Sequence, residues 1–257
     1  MKKGVLLIGH GSRLPYNKRM LEFHVKLLRD SGIENVYIAF NEMNEPEIED
    51  AMRGIAADGV TELVALPLFV ASGQHVAFDI PAKLGIKDGY GTSISASTGK
   101  EILVHYESPF GDDPEVTNVL MNKIDDIGFD GSTGIMLIAH GSPKKNNSEL
   151  TEMIAERLKE KYGNVFFGFN EYNEPSIEDT FGLIIKKGFE KVTVIPMFMA
   201  SGAHLEEEIP EKLGIPIGSR GGIVVREGKE ITVNYAEPYG MDPRMNDILI
   251  KKIKKYD

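Results

Sequence analysis

Residues 4–9 form an unbroken run of apolar residues and glycine, the pattern of a strand buried on both faces. The period then changes. Met20, Leu21, Val25, Leu27 and Leu28 recur at roughly helical spacing, which predicts a helix over 17–30. A second strand is expected over 36–40. Pro46 is expected to open a helix whose apolar face is Ile48, Met52, Ile55 and Ala56, with Gly59 as its stop. A third strand follows over 62–70, a short helix over 81–84, a fourth strand over 101–105 and a closing helix over 114–127. Alternating strands and helices of these lengths predict a small doubly wound, flavodoxin-like α/β domain with a four-stranded parallel sheet.

The whole pattern occurs twice. GVLLIGHGS, Gly4 to Ser12, returns as GIMLIAHGS, Gly134 to Ser142. FNEMNEPEIED from Phe40 returns as FNEYNEPSIED from Phe169, and LPLFVASGQH ending at His75 returns as IPMFMASGAH ending at His204. IPAKLGI returns as IPEKLGI, and ESPFGDDP as AEPYGMDP. The glycines at 128, 131 and 134 mark the seam. Two tandem domains, 1–129 and 130–257, facing each other across a pseudo-two-fold axis, are the expected architecture. One chain then supplies both walls of a cleft, so a monomer is expected.

Composition narrows the chemistry. With no cysteine, disulfides, thiolate nucleophiles and zinc–thiolate sites are excluded, so a metal must use imidazole, carboxylate or backbone oxygen. A net charge of −10 argues against nucleic acid as partner. No apolar run reaches the roughly 18 residues of a membrane span. The apolar stretch from Val5 to Ile8 is too short for a leader's core, so a cytoplasmic protein is expected.

Ligands of doubly wound sheets bind beyond the carboxyl ends of the strands. His10 ends the first predicted strand, Glu42 lies just past the second, and His75 follows the third. His140, Glu171 and His204 take the same places in the second half. Two imidazoles and a carboxylate suit a first-row divalent metal with open positions. A lone histidine at a strand end is ordinarily a loop hydrogen-bonder, but here the repeat discriminates. His24 and His105 become Ile154 and Asn234 in the other half, whereas His10 and His75 stay histidine. Glu45 and Glu174 also repeat, ahead of a proline, where they would favour a helix N-terminus. Asp79 is placed to cap a helix or to orient His75; Glu208 replaces it in the second half. The pair Lys144 and Lys145 reads as a solvated loop beside His140.

Nucleotide-binding glycine patterns and the serine-hydrolase elbow are missing. A phosphoryl transferase with His10 as nucleophile would want an arginine beside that histidine, and Gly9 precedes it.

Gly9-His10-Gly11-Ser12-Arg13, Phe40-Asn41-Glu42 with Glu45-Pro46, and Pro67, His75, Asp79-Ile80-Pro81 together resemble the class II chelatases. The resemblance is closest to the small sirohydrochlorin cobaltochelatases and their ferrochelatase and nickelochelatase relatives, and it covers both halves. It implies two similar α/β domains around a cleft, and insertion of a divalent metal into sirohydrochlorin for cobalamin-type tetrapyrrole biosynthesis. It implies His10, His75, Glu42 and, by repeat, His140, His204 and Glu171 as metal ligands, the four histidines being catalytic. No organic cofactor is implied; the metal, Co2+ with Ni2+ or Fe2+ as alternatives, is a substrate. The substrate's carboxylate arms would meet Ser12, Arg13, Ser72, Gly73, Ser142, Ser201 and Gly202, partly through backbone N–H groups. The second half departs at Pro143, which stands for Arg13, and at Glu208. Neutral imidazole can hold a metal or take a pyrrole proton near pH 7, and it releases the ion more readily than thiolate. A non-catalytic metal or tetrapyrrole carrier would use the same residues, and turnover separates the two.

Overall fold

The computed structural model describes residues 1–87, 89–143 and 146–257; Lys144 and Lys145 lie outside them. In the first repeat, strands β1 (Lys3–Gly9), β2 (Val36–Phe40), β3 (Glu62–Pro67) and β5 (Ile102–Tyr106) run parallel. A fifth strand, β4 (Gly91–Ser95), pairs antiparallel with β5, and the sheet order is β2-β1-β3-β5-β4. The second repeat gives β7-β6-β8-β10-β9, with β6 (Thr133–Ala139), β7 (Val165–Phe169), β8 (Lys191–Pro196), β9 (Gly221–Arg226) and β10 (Lys229–Tyr235). Each sheet therefore has five strands and not the expected four. The added strand is an edge with one half-wet face, and its sequence GTSIS has no apolar run to announce it.

The helices are α1 (Tyr16–Asp30), α2 (Ile48–Ala57), α3 (Ile80–Leu84) and α4 (Pro114–Ile127) in the first repeat. Their counterparts are α5 (Asn146–Tyr162), α6 (Ile177–Lys186), α7 (Ile209–Leu213) and α8 (Met245–Lys254). α2 begins at Ile48, two residues later than expected; Pro46 lies outside the helix, its carbonyl accepting from Phe40 N–H at 3.0 Å. β3 ends at Pro67 and not at residue 70; proline has no N–H to extend the ladder. His75 opens a single turn of π-helix, His75–Asp79, and His204–Glu208 repeats it.

The compact units do not follow the 129/130 seam. One comprises Met1–Asp113 with Pro243–Asp257, the other Pro114–Asp242. The closing helix of each repeat thus belongs to the other repeat's sheet. α8 packs on α1, and Lys252 reaches Asp113 at 3.6 Å. α4 packs on α5 and β8, burying Val116, Val119, Leu120 and Ile124, and Lys123 reaches Asp242 at 3.8 Å. An amphipathic helix declares which face it buries, not which sheet receives it.

Within the first unit Leu6, Ile8, Ile48, Ile55, Leu63 and Val104 belong to one buried cluster; Met136, Ile138, Phe181, Ile184, Val194 and Val233 do so in the second. Among the described residues no helix is long and apolar enough to cross a membrane.

Candidate metal centre

β1 is central, with β2 and β3 as its neighbours, so the loops leaving the three strands emerge side by side. Backbone hydrogen bonds stitch the first two loops together. Asn41 N–H donates to Gly9 O at 2.9 Å and Glu42 N–H to His10 O at 3.0 Å. So close an approach demands Gly11, whose φ is +95° and where a Cβ would lie 1.7 Å from the Glu42 carbonyl oxygen. The second unit repeats the device. Glu171 N–H donates to His140 O at 2.9 Å, and a Cβ on Gly141 would lie 1.9 Å from Glu171 O.

The result is two triads. His10, Glu42 and His75 each offer a ligand atom within 4.8 Å of the others, and so do His140, Glu171 and His204. His10 Nδ1 is 3.3 Å from Glu42 Oε1. The two imidazoles meet edge to face in both units, with ring centroids 4.9 Å and 4.7 Å apart.

Polar partners surround both imidazoles of the second unit. His204 Nδ1 is 2.7 Å from Glu208 Oε2, and His140 Nδ1 is 3.1 Å from the Gly141 carbonyl. Both of these partners accept, so each Nδ1 is placed to donate, while the Asn170 amide also lies 3.3 Å from His204 Nδ1. The two Nε2 atoms face each other at 3.2 Å. At that distance the two nitrogens can share a proton or a metal ion. Ligands about 2.1 Å from one metal lie about 3.0 to 3.4 Å apart, so the spacing suits a shared ion. In the first unit Asp79 Oδ2 takes the same position, 2.7 Å from His75 Nδ1. Asp79 makes no side-chain cap to α3. Of its two expected roles the structure selects the imidazole-orienting one. Hydrogen bonding to His204, and then to Asn170, outweighs partial burial and holds the Glu208 carboxyl below the usual range.

The other expected site residues divide. The Ser12 and Ser142 N–H groups donate to Asn44 Oδ1 (2.6 Å) and Asn173 Oδ1 (2.7 Å), which fixes the loops after β1 and β6. Arg13 is exposed. Gly73 O and Gly202 O accept from Ala77 and Glu206 at 2.9 Å, so both glycines start the turns that carry His75 and His204. Ser72 pairs with the Tyr90 hydroxyl, whereas Ser201 accepts from Arg220 at 3.3 Å. Glu45 and Glu174 are exposed and outside both triads.

His24 and His105 are not incidental, as the sequence suggested. Both are buried. His105 sits between Thr92 (2.8 Å) and Glu62 (3.1 Å) and stacks on Tyr256 at 4.0 Å. The second repeat has Lys191 in place of Glu62, so the demand for a histidine disappears there.

Sequence reasoning missed Asn41 and Asn170. Asn41 Nδ2 lies 3.1 Å from His75 Nδ1, and Asn170 Nδ2 lies 3.3 Å from Glu208. Lys83 and Lys212 hold the carbonyls of these asparagines, the latter at 2.8 Å. All four recur between the repeats, which was the available signal.

The CbiX family model matches residues 4–127 and again 134–256. The chain belongs to the CbiX family. Among CbiX relatives, the sirohydrochlorin cobaltochelatase of Methanosarcina acetivorans is 37% identical over 124 residues, 48% of this chain and 95% of its own. The sirohydrochlorin cobaltochelatase of Saccharolobus solfataricus is 30% identical over 122 residues, 48% of this chain and 94% of its own. SirB from Bacillus subtilis, solved with Fe3+, shares the fold over 99% of this chain and 95% of its own, with a TM-score of 0.75 and 22% identity. The tandem α/β domains expected from the repeat are thus present, each matching the CbiX family model and each with a fifth strand.

Proposed function

We propose that this CbiX protein inserts a divalent metal ion, Co2+, into sirohydrochlorin, releasing two pyrrole protons. The observation that carries the reading is the pair of His140 and His204 Nε2 atoms facing each other at 3.2 Å, with Glu171 within reach of the same point. That spacing suits two ligands of one ion. The first unit supports it with the same triad and the same carboxylate behind the second histidine. Imidazole and carboxylate exchange a first-row ion readily enough for it to move on to four pyrrole nitrogens. Two relatives named sirohydrochlorin cobaltochelatases support the choice of macrocycle and of Co2+.

In this reading His10, His75, His140 and His204 capture the metal and accept pyrrole protons. Glu42 and Glu171 add a ligand or a base. Ser12, Arg13, Ser142 and the turns at Ser72-Gly73 and Ser201-Gly202 meet the substrate's carboxylate arms. Each repeat, 1–129 and 130–257, contributes one ligand set, so a monomer suffices, acting in the cytoplasm. The first repeat carries Arg13 and Asp79 and does more of the work.

The test is anaerobic incubation with sirohydrochlorin and Co2+, Ni2+ or Fe2+ in turn, followed by absorbance. Co2+ is expected to give the highest rate. His10→Ala and His75→Ala each cut that rate strongly, and the second-repeat equivalents cut it less. His24→Ala, at a buried position, costs stability but leaves the turnover of folded protein at the parent value. Parent-level turnover in His10→Ala and His75→Ala, alone and combined with His140→Ala and His204→Ala, overturns the assignment. Binding of metal and macrocycle without turnover makes the protein a carrier.

A further inference from the structure

Met43 and Tyr172 occupy the same position of the two repeats, one residue after Glu42 and Glu171. Both have left-handed backbone, with φ of 62° and 61°. Glycine or asparagine adopts that conformation at little cost, whereas methionine and tyrosine crowd their Cβ against the backbone. An asparagine is available next door. Asn44 and Asn173 are spent instead on holding the Ser12 and Ser142 N–H groups.

The side chains carry a second cost. Met43 is 63% exposed and Tyr172 is 65% exposed, so neither repays its strain by packing into a core. Each residue is held at the centre of a tight turn, Asn44 N–H donating to Glu42 O at 2.8 Å and Asn173 N–H to Glu171 O at 2.7 Å, and held strain of this kind clusters at ligand sites. The Tyr172 ring lies 6.1 Å from the His140 ring at an interplanar angle of 30°. Phe69 and Phe198 lie on His10 and His140 at 5.8 Å and 6.4 Å, so the histidines already have apolar neighbours.

We propose that Met43 and Tyr172 each contact the face of a flat, conjugated macrocycle at the triad of their own unit, holding it over that unit's imidazoles while the metal is transferred. The proposal rests on the metal-insertion reading. Tyrosine stacks on a π-face with its hydroxyl in water, and the polarisable methionine thioether packs on one from any angle. The left-handed backbone is the device that turns such a side chain outward directly beside a metal ligand.

The test uses Met43→Gly, Tyr172→Gly and the double variant in the full chain. Glycine fits the backbone, so melting temperatures are expected at or above the parent value. Three quantities are read: the dissociation constant for metal-free sirohydrochlorin, Co2+ affinity without macrocycle, and kcat and KM for metallation. The double variant is expected to weaken sirohydrochlorin binding and raise KM by about ten-fold or more. Co2+ affinity stays within about two-fold of the parent, and Met43→Leu with Tyr172→Phe restores macrocycle binding. If macrocycle binding and KM stay at the parent values while the melting temperature rises, the two residues are strained loop positions and the proposal is overturned. Failure of the metal-insertion reading is distinguished in the parent protein, which would then neither bind nor metallate sirohydrochlorin, and this proposal falls with it.

Discussion

Replacing Gly11 with alanine tests the geometry that brings the ligands together. The new Cβ would sit 1.7 Å from the Glu42 carbonyl oxygen, at a φ of +95°. To reach an ordinary contact the loops after β1 and β2 must part by about 1.5 Å. The left-handed backbone adds roughly 1 to 2 kcal/mol. Loss of the bond from Glu42 N–H to His10 O, 3.0 Å long, adds about 1 kcal/mol. The total, about 2 to 4 kcal/mol with residual crowding, is within the roughly 5 to 15 kcal/mol of an ordinary domain, so most molecules stay folded. The ligand set fares worse. Metal sites tolerate ligand errors of about 0.2 Å, and a shift several times larger removes either His10 or Glu42 from the ion. Co2+ affinity at that triad should fall by about 100-fold or more. Anaerobic competition with a chromophoric chelator measures it, with circular dichroism and a thermal melt on the same samples. Gly141→Ala should act alike on the second triad, where the approach is 1.9 Å. A folded Gly11→Ala, Gly141→Ala double variant with parent affinity and parent metallation rate would refute the argument that this close approach builds the site.

Asp79→Ala removes the carboxylate from His75 Nδ1 and should weaken Co2+ binding by about 10 to 100-fold, whereas Asp79→Glu, which copies Glu208, should keep it; equal affinity in all three proteins rejects the orienting role. Glu107 tests how α8 is held. Burial pushes its carboxyl up, but the Tyr256 hydroxyl, Lys255 and Lys252 outweigh this and hold it below the ordinary range. A depressed folded pKa gives stability that is present above the unfolded value of about 4.3 and lost as pH falls through the folded one. The parent's melting temperature should therefore drop across that acid window more steeply than that of Glu107→Gln, and parallel curves would contradict the linkage.

The parts of the fold that were legible in the sequence were those whose burial leaves a period. β1 and β6 are almost wholly buried and read as apolar runs, and α1 and α2 show their inner faces as spaced leucines and isoleucines. β4 was invisible because its one apolar residue, Ile94, is 60% exposed while its less exposed positions are glycine and serine. The convergence of His10, Glu42 and His75, and of their second-repeat counterparts, was legible because these residues lie at strand ends and repeat. The orienting role of Asp79 was one of two readings, and only the 2.7 Å contact decides it. Asn41 and Asn170 were overlooked because a buried amide that braces an imidazole looks, in sequence, like any loop asparagine.

The exchanged closing helices bear on how such a chain can evolve. Its half-length relatives match one repeat almost end to end. Once two repeats share a gene, either could drift away from chemistry, since the other retains a triad. Neither could be deleted, because the sheet of each is closed by a helix the other encodes. The second unit is one uninterrupted segment, 114–242, inserted into a first unit that is split. Duplication of the triad is thus locked in by interdependence at the level of folding, and a half that lost its triad would persist as scaffold.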